Sequence, residues 1–293
     1  MEKRVVHFYS EGSRMEGDLF LPSDLRHVEK RPGIVLCHGF TGIRELVLPD
    51  YARVFTEAGY VALTFDYRGF GESNGQRGRL VPLEQIDDIR NAITFLQAQE
   101  EVDPERVGVW GTSFGGGHAP YVAGVDARVK VAVGQVGFAD GERFINDVRS
   151  YGEQVELARE LAEDRRRRVL TGEGRNLDPL ELALRDPQSR AFVPDALKAF
   201  PQMRCTLSWE TAEKTLEYKP LDVVERIAPR ALLLIGAEKD TICPIEGYHK
   251  LYERAKEPKK LVVLPITHYE IYSGKWFEES SRLAVEWYNR FFK

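Results

Sequence analysis

Short apolar runs alternate along most of the chain with segments in which apolar residues recur every three or four positions. Runs such as residues 33–37 are apolar at almost every position, which is typical of strands buried on both faces. Residues 83–99 have the apolar spacing of one helix face. Because alternating strands and helices form a mostly parallel sheet with right-handed crossovers, we predict an α/β protein whose central sheet is flanked by helices.

The individual elements follow from the same patterns. The predicted strands are 4–9, 15–21, 33–37, 61–65, 106–110, 129–133, 231–235 and 261–264. The predicted helices of the core are 50–58, 83–99, 114–123, 245–255 and 278–292. The first two strands mix polar and apolar positions around a turn at 11–13, so we expect them at the start of the sheet as a connected pair.

Residues 137–219 break this alternation. They contain no convincing strand pattern, and prolines separate predicted helices at 155–169, 179–184 and 195–200. We interpret this stretch as a helical insertion over one edge of the sheet and call it the cap. The predicted organisation is therefore a core made of residues 1–136 and 220–293, interrupted by the cap at 137–219.

Composition narrows the functional classes. The chain has 293 residues, 41 Lys and Arg against 46 Asp and Glu, and a net charge of −5, which argues against a general nucleic-acid binder. Three widely spaced cysteines form neither a disulfide framework nor a zinc motif. Residues 1–10 have no apolar stretch typical of a signal peptide, and the longest apolar runs are too short to span a membrane, so we expect a cytoplasmic protein. The sequence leaves open whether it is a monomer or a homodimer.

Four consecutive arginines, Arg165 to Arg168, lie inside the cap. One interpretation is a phosphate-binding patch. However, Glu156, Glu160, Glu163 and Asp164 precede them within helical reach. We therefore predict a solvated, ion-paired helix face.

The chemistry-bearing motif is Gly-Thr-Ser-Phe-Gly at residues 111–115. It follows a predicted buried strand and precedes a predicted helix, which is the context of a nucleophile elbow. The sharp turn raises the hydroxyl of Ser113 above the sheet edge at a helix N-terminus. Small residues must flank such a turn, and Gly111 and Gly115 meet that requirement.

A serine nucleophile needs a base and an acid that orients it, in the chain order Ser, Asp or Glu, His. His268 directly follows the last predicted strand, whereas His249 lies within a predicted helix. Asp240 lies in the loop after the preceding strand, and Glu238 is the second candidate for the acid. We predict a Ser113, His268 and Asp240 triad.

The oxyanion of the reaction needs two backbone N–H donors. We expect one from Phe114, directly after the nucleophile, and one from Phe40 in the His-Gly-Phe-Thr-Gly loop after strand 33–37. His38 in this loop is a further candidate for the base, but its neighbour Gly39 favours a loop-shaping role for this histidine.

These motifs resemble the α/β-hydrolase superfamily in type and order over nearly the whole chain. His-Gly-Phe-Thr-Gly at 38–42 and Gly-Phe-Gly-Glu-Ser at 69–73 are similar to the feruloyl/cinnamoyl-esterase and dienelactone-hydrolase-like branch. The resemblance implies a helical cap after the sixth core strand. The chain departs from lipases with a His-Gly-Gly-Gly loop, and it has serine where dienelactone hydrolase itself has cysteine.

The combined motifs predict a serine hydrolase that cleaves the carboxylic ester of a small or aromatic acyl group. The same triad could serve a thioester, amide, peptide or C–C bond, and a non-catalytic binding protein is the third hypothesis. Substrate-pocket candidates are Phe192, Met203, Trp209 and Tyr269. We predict no cofactor and no metal, because His7, His27 and His118 are isolated and no nucleotide-binding motif occurs.

Overall fold

The computed structural model describes residues 1–26 and 28–292. Its strands are β1 (Glu2–Ser10), β2 (Ser13–Leu21), β3 (Arg31–Cys37), β4 (Val61–Phe65), β5 (Val102–Thr112), β6 (Val129–Gln135), β7 (Asn176–Leu177), β8 (Leu207–Ser208), β9 (Ala231–Ala237) and β10 (Lys259–Leu264). Eight of them form one sheet in the order β1-β2-β4-β3-β5-β6-β9-β10. Within this sheet, as far as the structure describes it, β1–β2 and β2–β4 pair antiparallel and the other neighbours pair parallel, which confirms the predicted mostly parallel sheet.

Helices cover both faces of this sheet. They are α1 (Leu48–Glu57), α2 (Pro82–Gln97), α3 (Phe114–Val125), α4 (Gly141–Asn146), α5 (Tyr151–Thr171), α6 (Pro179–Leu182), α7 (Pro187–Ala199), α8 (Glu210–Leu216), α9 (Glu246–Arg254) and α10 (Gly274–Phe291). Alternate residues of β3 enter opposite layers. Val35 and Cys37 pack in the layer of α2, α3 and α9, whereas Ile34 and Leu36 pack in the layer of α1 and α10. Residues covered on both faces explain the apolar runs in the sequence.

The chain between β6 and β9 differs from the prediction in several elements, since α4 and α8 were not predicted and α5 begins at Tyr151 instead of residue 155. β7 and β8 form an antiparallel pair, whereas we expected no strand; two residues per strand are too few to produce an alternating pattern. α7 begins at Pro187 instead of residue 195, because Asp186 caps it through the amides of Gln188 and Ser189. Proline at the first turn fits a helix start, and Pro194 is accommodated inside the same helix.

The arginine run lies in the last turns of α5 and is largely ion-paired. Its ion pairs are Arg165–Glu213 at 3.0 Å, Arg167–Glu173 at 3.7 Å, Arg168–Asp164 at 2.8 Å and Arg168–Glu213 at 2.5 Å. Of the four expected acidic partners only Asp164 serves the run, since the other three surround Arg159. Arg166 has no ion pair within the described part of the chain.

No helix in residues 1–26 and 28–292 combines the length and the apolar character needed to cross a membrane.

Candidate active site

Ser113 lies in the turn between β5 and α3 with φ of 55° and ψ of −119°, a conformation that is strained for a residue with a side chain. The flanking positions have no room for one. A Cβ on Gly111 would lie 2.0 Å from the carbonyl oxygen of Gly115, and a Cβ on Gly115 would lie 2.2 Å from that of Cys37. The two glycines therefore allow the turn to close against the end of β3.

His268 and Asp240 lie in the loops after β10 and β9 and form a continuous hydrogen-bond chain with Ser113. The Nδ1 of His268 is 2.7 Å from Oδ2 of Asp240, and its Nε2 is 3.0 Å from Oγ of Ser113. A carboxylate only accepts hydrogen bonds, so Nδ1–H donates to Asp240 and Nε2 remains to accept the serine proton. The His268 and Asp240 side chains are buried, so their hydrogen bond is shielded from water.

Backbone amides fix the carboxylate of Asp240. Its Oδ1 accepts from the amides of Ile242 at 2.9 Å and Cys243 at 2.8 Å, which leaves Oδ2 facing the imidazole. The second candidate, Glu238, is exposed on the same loop. The structure therefore brings Asp240, and not Glu238, to His268.

The other two histidines that were candidates for the base lie in different settings. His249 is exposed on α9. His38 is buried, its Nδ1 lies 3.0 Å from the carbonyl oxygen of Gly39, and burial lowers its pKa. The carbonyl only accepts, so the His38 ring donates to its own loop and stabilises the loop's shape.

Phe40 and Phe114, the two predicted oxyanion donors, lie on either side of the serine. Phe114 directly follows Ser113 in the chain. Gly39, the neighbour of Phe40, is so close to the serine that a Cβ on it would lie 3.1 Å from the Cβ of Ser113. Within the described residues, neither the Phe40 amide nor the Phe114 amide donates to another protein group. Both N–H groups therefore remain available to a ligand.

The side chains of these two phenylalanines belong to a buried aromatic cluster. The Phe40 and Phe114 rings are 5.5 Å apart, and Phe144 of α4 packs 5.6 Å from Phe114 and 4.8 Å from Phe138. The cluster connects the loop after β3 to the first helix of the cap. Sequence analysis considered only the amides and missed this packing, although the phenylalanine content of these loops was a visible signal.

Arg44 anchors the far end of the same loop. Its guanidinium pairs with Asp66, with Glu72 at 2.5 Å and with Asp18 at 3.5 Å, and its backbone amide donates to Oδ1 of Asp66 at 2.7 Å. The Arg44 and Asp66 side chains are 6% and 0% exposed. This ion pair joins the loop after β3 to the loop after β4. The sequence analysis missed it, because nothing local indicates that these two loops meet.

A cavity of about 150 Å³ opens above the serine, between the core loops and the cap. Three of the four residues predicted for a substrate pocket, Phe192, Met203 and Tyr269, line this cavity. The Phe192 and Tyr269 rings stack with centroids 4.3 Å apart, and the hydroxyls of Ser189 and Tyr269 are 2.9 Å apart. Burial raises the pKa of Tyr269, so its hydroxyl keeps its proton. Further apolar lining, which the prediction missed, comes from Leu180, Leu184, Val193 and Leu197.

Trp209 was predicted to line the pocket and does not. It lies at the start of α8, where its ring packs 4.8 Å from the guanidinium of Arg175 and its amide donates to the Arg175 carbonyl at 3.0 Å. These contacts hold the indole beside the β7–β8 pair. The prediction was wrong at this position because apolar character alone does not distinguish packing within the cap from pocket lining.

Of the isolated histidines, His118 and His7 lie within the described residues, and neither is in a metal-binding arrangement. His118 is buried between the Tyr218 hydroxyl at 2.9 Å and Oε1 of Gln85 at 3.0 Å, and burial lowers its pKa to about 3. His7 is on the surface beside Glu16, and His27 lies outside the described residues. No group of three His, Cys, Asp or Glu side chains suited to a metal ion occurs among residues 1–26 and 28–292.

Known proteins are similar to this chain over most of its length, including the candidate active site. Residues 29–272 match the family Hydrolase_4, described as serine aminopeptidase, S33. An uncharacterized 31.7 kDa protein in the traX-finO intergenic region of Escherichia coli is 37% identical over 263 residues, 89% of this chain and 91% of that protein. The thiohydrolase aneE of Aspergillus aculeatus is 27% identical over 262 residues, 86% of this chain and 81% of that protein.

Solved structures share the fold. The crystal structure of the α/β hydrolase GrgF from Penicillium sp. sh18 aligns with a TM-score of 0.83 and 25% identity, over 100% of this chain and 99% of that chain. The alignment includes the cap as well as the core. Ser113, Asp240 and His268 all lie within the residues matched by the family.

We expect Arg44→Ala to lower the free energy of unfolding by about 3 kcal/mol, because it leaves the buried carboxylate of Asp66 without its ionic partner. Arg53 provides a matched control: it is exposed and lies 4.0 Å from Asp50 and 3.5 Å from Glu57. Arg53→Ala should cost less than about 1 kcal/mol. Urea unfolding measures both values. Similar small losses in the two variants would contradict the anchoring role of Arg44.

Proposed function

The chain belongs to the serine aminopeptidase S33 family of the α/β-hydrolase superfamily, and on that premise we propose that it is a serine hydrolase acting on the carboxylic ester of a small or aromatic acyl group. The observation that carries the proposal is the hydrogen-bond chain from Asp240 through His268 to Ser113. Nucleophile, base and orienting acid lie at hydrogen-bonding distance with the imidazole nitrogens in the required roles.

The proposed reaction has two acyl-transfer steps. Ser113 Oγ attacks the ester carbonyl while Nε2 of His268 takes its proton, and the imidazolium then gives that proton to the departing alcohol. Water next attacks the acyl-serine, again losing a proton to Nε2, and the acid leaves as Ser113 regains its proton. Asp240 keeps the proton on Nδ1 and stabilises the imidazolium that forms in each step.

The negative charge that develops on the carbonyl oxygen needs donors that are already in position. The amides of Phe40 and Phe114 support this role, because neither donates elsewhere within the described residues. The N-terminus of α3, directly after Ser113, adds a favourable dipole. Because these amides belong to packed loops, little reorganisation is needed when the charge forms.

The cavity supports an apolar acyl group. Its cap side is lined by Phe192, Met203 and neighbouring leucines, and Tyr269 forms the wall beside His268. Apolar walls with few polar groups bind acyl chains or rings through burial of their surface. We propose that residues 137–219 act as the cap that selects the acyl group.

Thioester hydrolysis is the second candidate, and the relative named a thiohydrolase favours it. The same attack and proton transfers apply, with a thiol as the leaving group. The two activities are distinguished with p-nitrophenyl and N-acetylcysteamine derivatives of one acyl group. The higher kcat/KM identifies the preferred bond, whereas turnover of neither, or of a matching anilide alone, would contradict both candidates.

Ser113→Ala should abolish the burst of nitrophenol from p-nitrophenyl acetate, because no acyl-enzyme can form. Residual turnover from the remaining site is expected at roughly 10³–10⁴-fold over water. Stopped-flow absorbance measures the burst, and circular dichroism verifies the fold. A burst of unchanged amplitude in the variant would eliminate Ser113 as the nucleophile.

Asp240→Asn should reduce kcat by as much as about 10⁴-fold, because an amide favours the wrong tautomer of His268. Glu238→Gln is the control on the same loop and should stay within about twofold of the wild type, since a side chain in solvent does not orient the base. Steady-state ester hydrolysis measures both. If Glu238→Gln had the larger effect, the acid would be assigned wrongly.

Phe192→Ala should raise KM for an aryl-propanoate ester about tenfold, because the aryl ring of the substrate loses its contact with the Phe192 ring in the cavity wall. KM for the corresponding acetate should change little. Trp209→Ala serves as the control and should leave the ratio of the two KM values unchanged, because Trp209 does not line the cavity. A ratio altered equally by both substitutions would contradict the proposed acyl pocket.

A further inference from the structure

The helix α5 carries an exposed apolar stripe along its length. The stripe follows the alternating three- and four-residue spacing of a coiled-coil seam. It consists of Tyr151, Val155, Ala158, Ala162 and Val169, and Arg165 occupies the one seam position between the last two. Tyr151 is 81% exposed, Val155 54% and Val169 78%. Ala158 and Ala162 are exposed as well. No described part of the chain covers this stripe.

The chain itself uses a different side of the helix. Among the 21 residues of α5, only Leu157 and Asp164 are buried. Leu161 lies between them on the same side and packs against the core. A helix that buries so little on its own chain, yet presents an ordered second seam, has the pattern of an element with a second partner.

The positions of the stripe are symmetric about Glu160, although Val155 lies opposite Arg165 and not opposite an apolar residue. Ala158 and Ala162 lie two residues to either side of Glu160, and Tyr151 and Val169 lie nine residues to either side. In an antiparallel pair of α5 helices related by a two-fold axis at Glu160, each alanine therefore meets the other alanine, and each end residue meets the other end residue. Small residues at the centre allow two helices to approach closely, and large ones at the ends pack across the pair.

Charge along the helix favours the same orientation. Residues 151–164 contain four glutamates and one aspartate against the single Arg159, whereas residues 165–168 are all arginine. Antiparallel pairing brings the acidic part of one helix to the basic part of the other, and parallel pairing would oppose like charges. Arg166, which has no ion pair in the described residues, would gain acidic neighbours in this arrangement.

We propose that the protein forms a homodimer in which α5 packs antiparallel against α5 of a second copy. The occupant of the stripe is thus the same chain, because a two-fold interface must be complementary to itself and this helix is, in its central alanines, its end residues and its charge pattern. The proposal does not depend on the proposed function. One helix pair buries less than a standard interface, so the dimer is reversible and its population rises with protein concentration.

Sedimentation velocity of the full chain from about 1 to about 100 µM tests the dimer. We expect a concentration-dependent monomer–dimer equilibrium. Val155→Arg should raise the dissociation constant at least about tenfold, because it places a second positive charge opposite Arg165 of the other copy. The matched control is Val5→Arg on β1, since Val5 is 56% exposed and Val155 54%. Circular dichroism verifies that both variants fold.

Two outcomes would overturn the dimer: a wild type that stays monomeric at the highest concentration, or a dimer dissociated by Val5→Arg and not by Val155→Arg. Disulfide crosslinking tests its orientation. When Tyr151→Cys and Val169→Cys proteins, each carrying Cys205→Ser, are mixed and oxidised, antiparallel pairing predicts crosslinks between the two variants. Crosslinks of each variant to itself would contradict the antiparallel arrangement.

Discussion

The turn that holds Ser113 at positive φ is closed by backbone contact, with Gly115 lying directly against the carbonyl of Cys37. This contact requires β5 to run parallel and adjacent to β3, as it does. Once that pairing exists, the carboxyl ends of the parallel strands share one edge, and the loops after β3, β5, β9 and β10 meet there. The position of Asp240 and His268 opposite the serine is therefore a consequence of strand order.

Buried polar contacts then fix what the strands bring together. Two backbone amides hold Oδ1 of Asp240, so the carboxylate presents Oδ2 to the imidazole. Arg44 fixes the loop after β3 in a similar way, because its guanidinium forms an ion pair with the buried Asp66 in the loop after β4. A charge at either position would be costly to bury alone, and the opposite charges and amides around it stabilise the arrangement. Preorganisation of this kind is what acyl-transfer chemistry requires.

Local sequence patterns predicted the core far better than the cap. The strand at 61–65 has the predicted bounds, since five consecutive buried positions define it without reference to the rest of the chain. The loop context and the 28-residue spacing to His268 favoured Asp240 over Glu238 from the sequence, although both residues follow the same strand. The role of Arg44 and the position of Trp209 depend on which distant segments meet, and no spacing in the sequence contains that information.

Covalent labelling tests directly whether Ser113 is a nucleophile. The wild-type protein is treated with an alkyl fluorophosphonate, and its mass is measured intact and after proteolysis. A single phosphonyl adduct is expected on the peptide that contains Ser113, because no other hydroxyl in residues 1–26 and 28–292 is hydrogen-bonded to a base oriented by a buried carboxylate. An unlabelled protein, or an adduct on another residue with Ser113 unmodified, would contradict it.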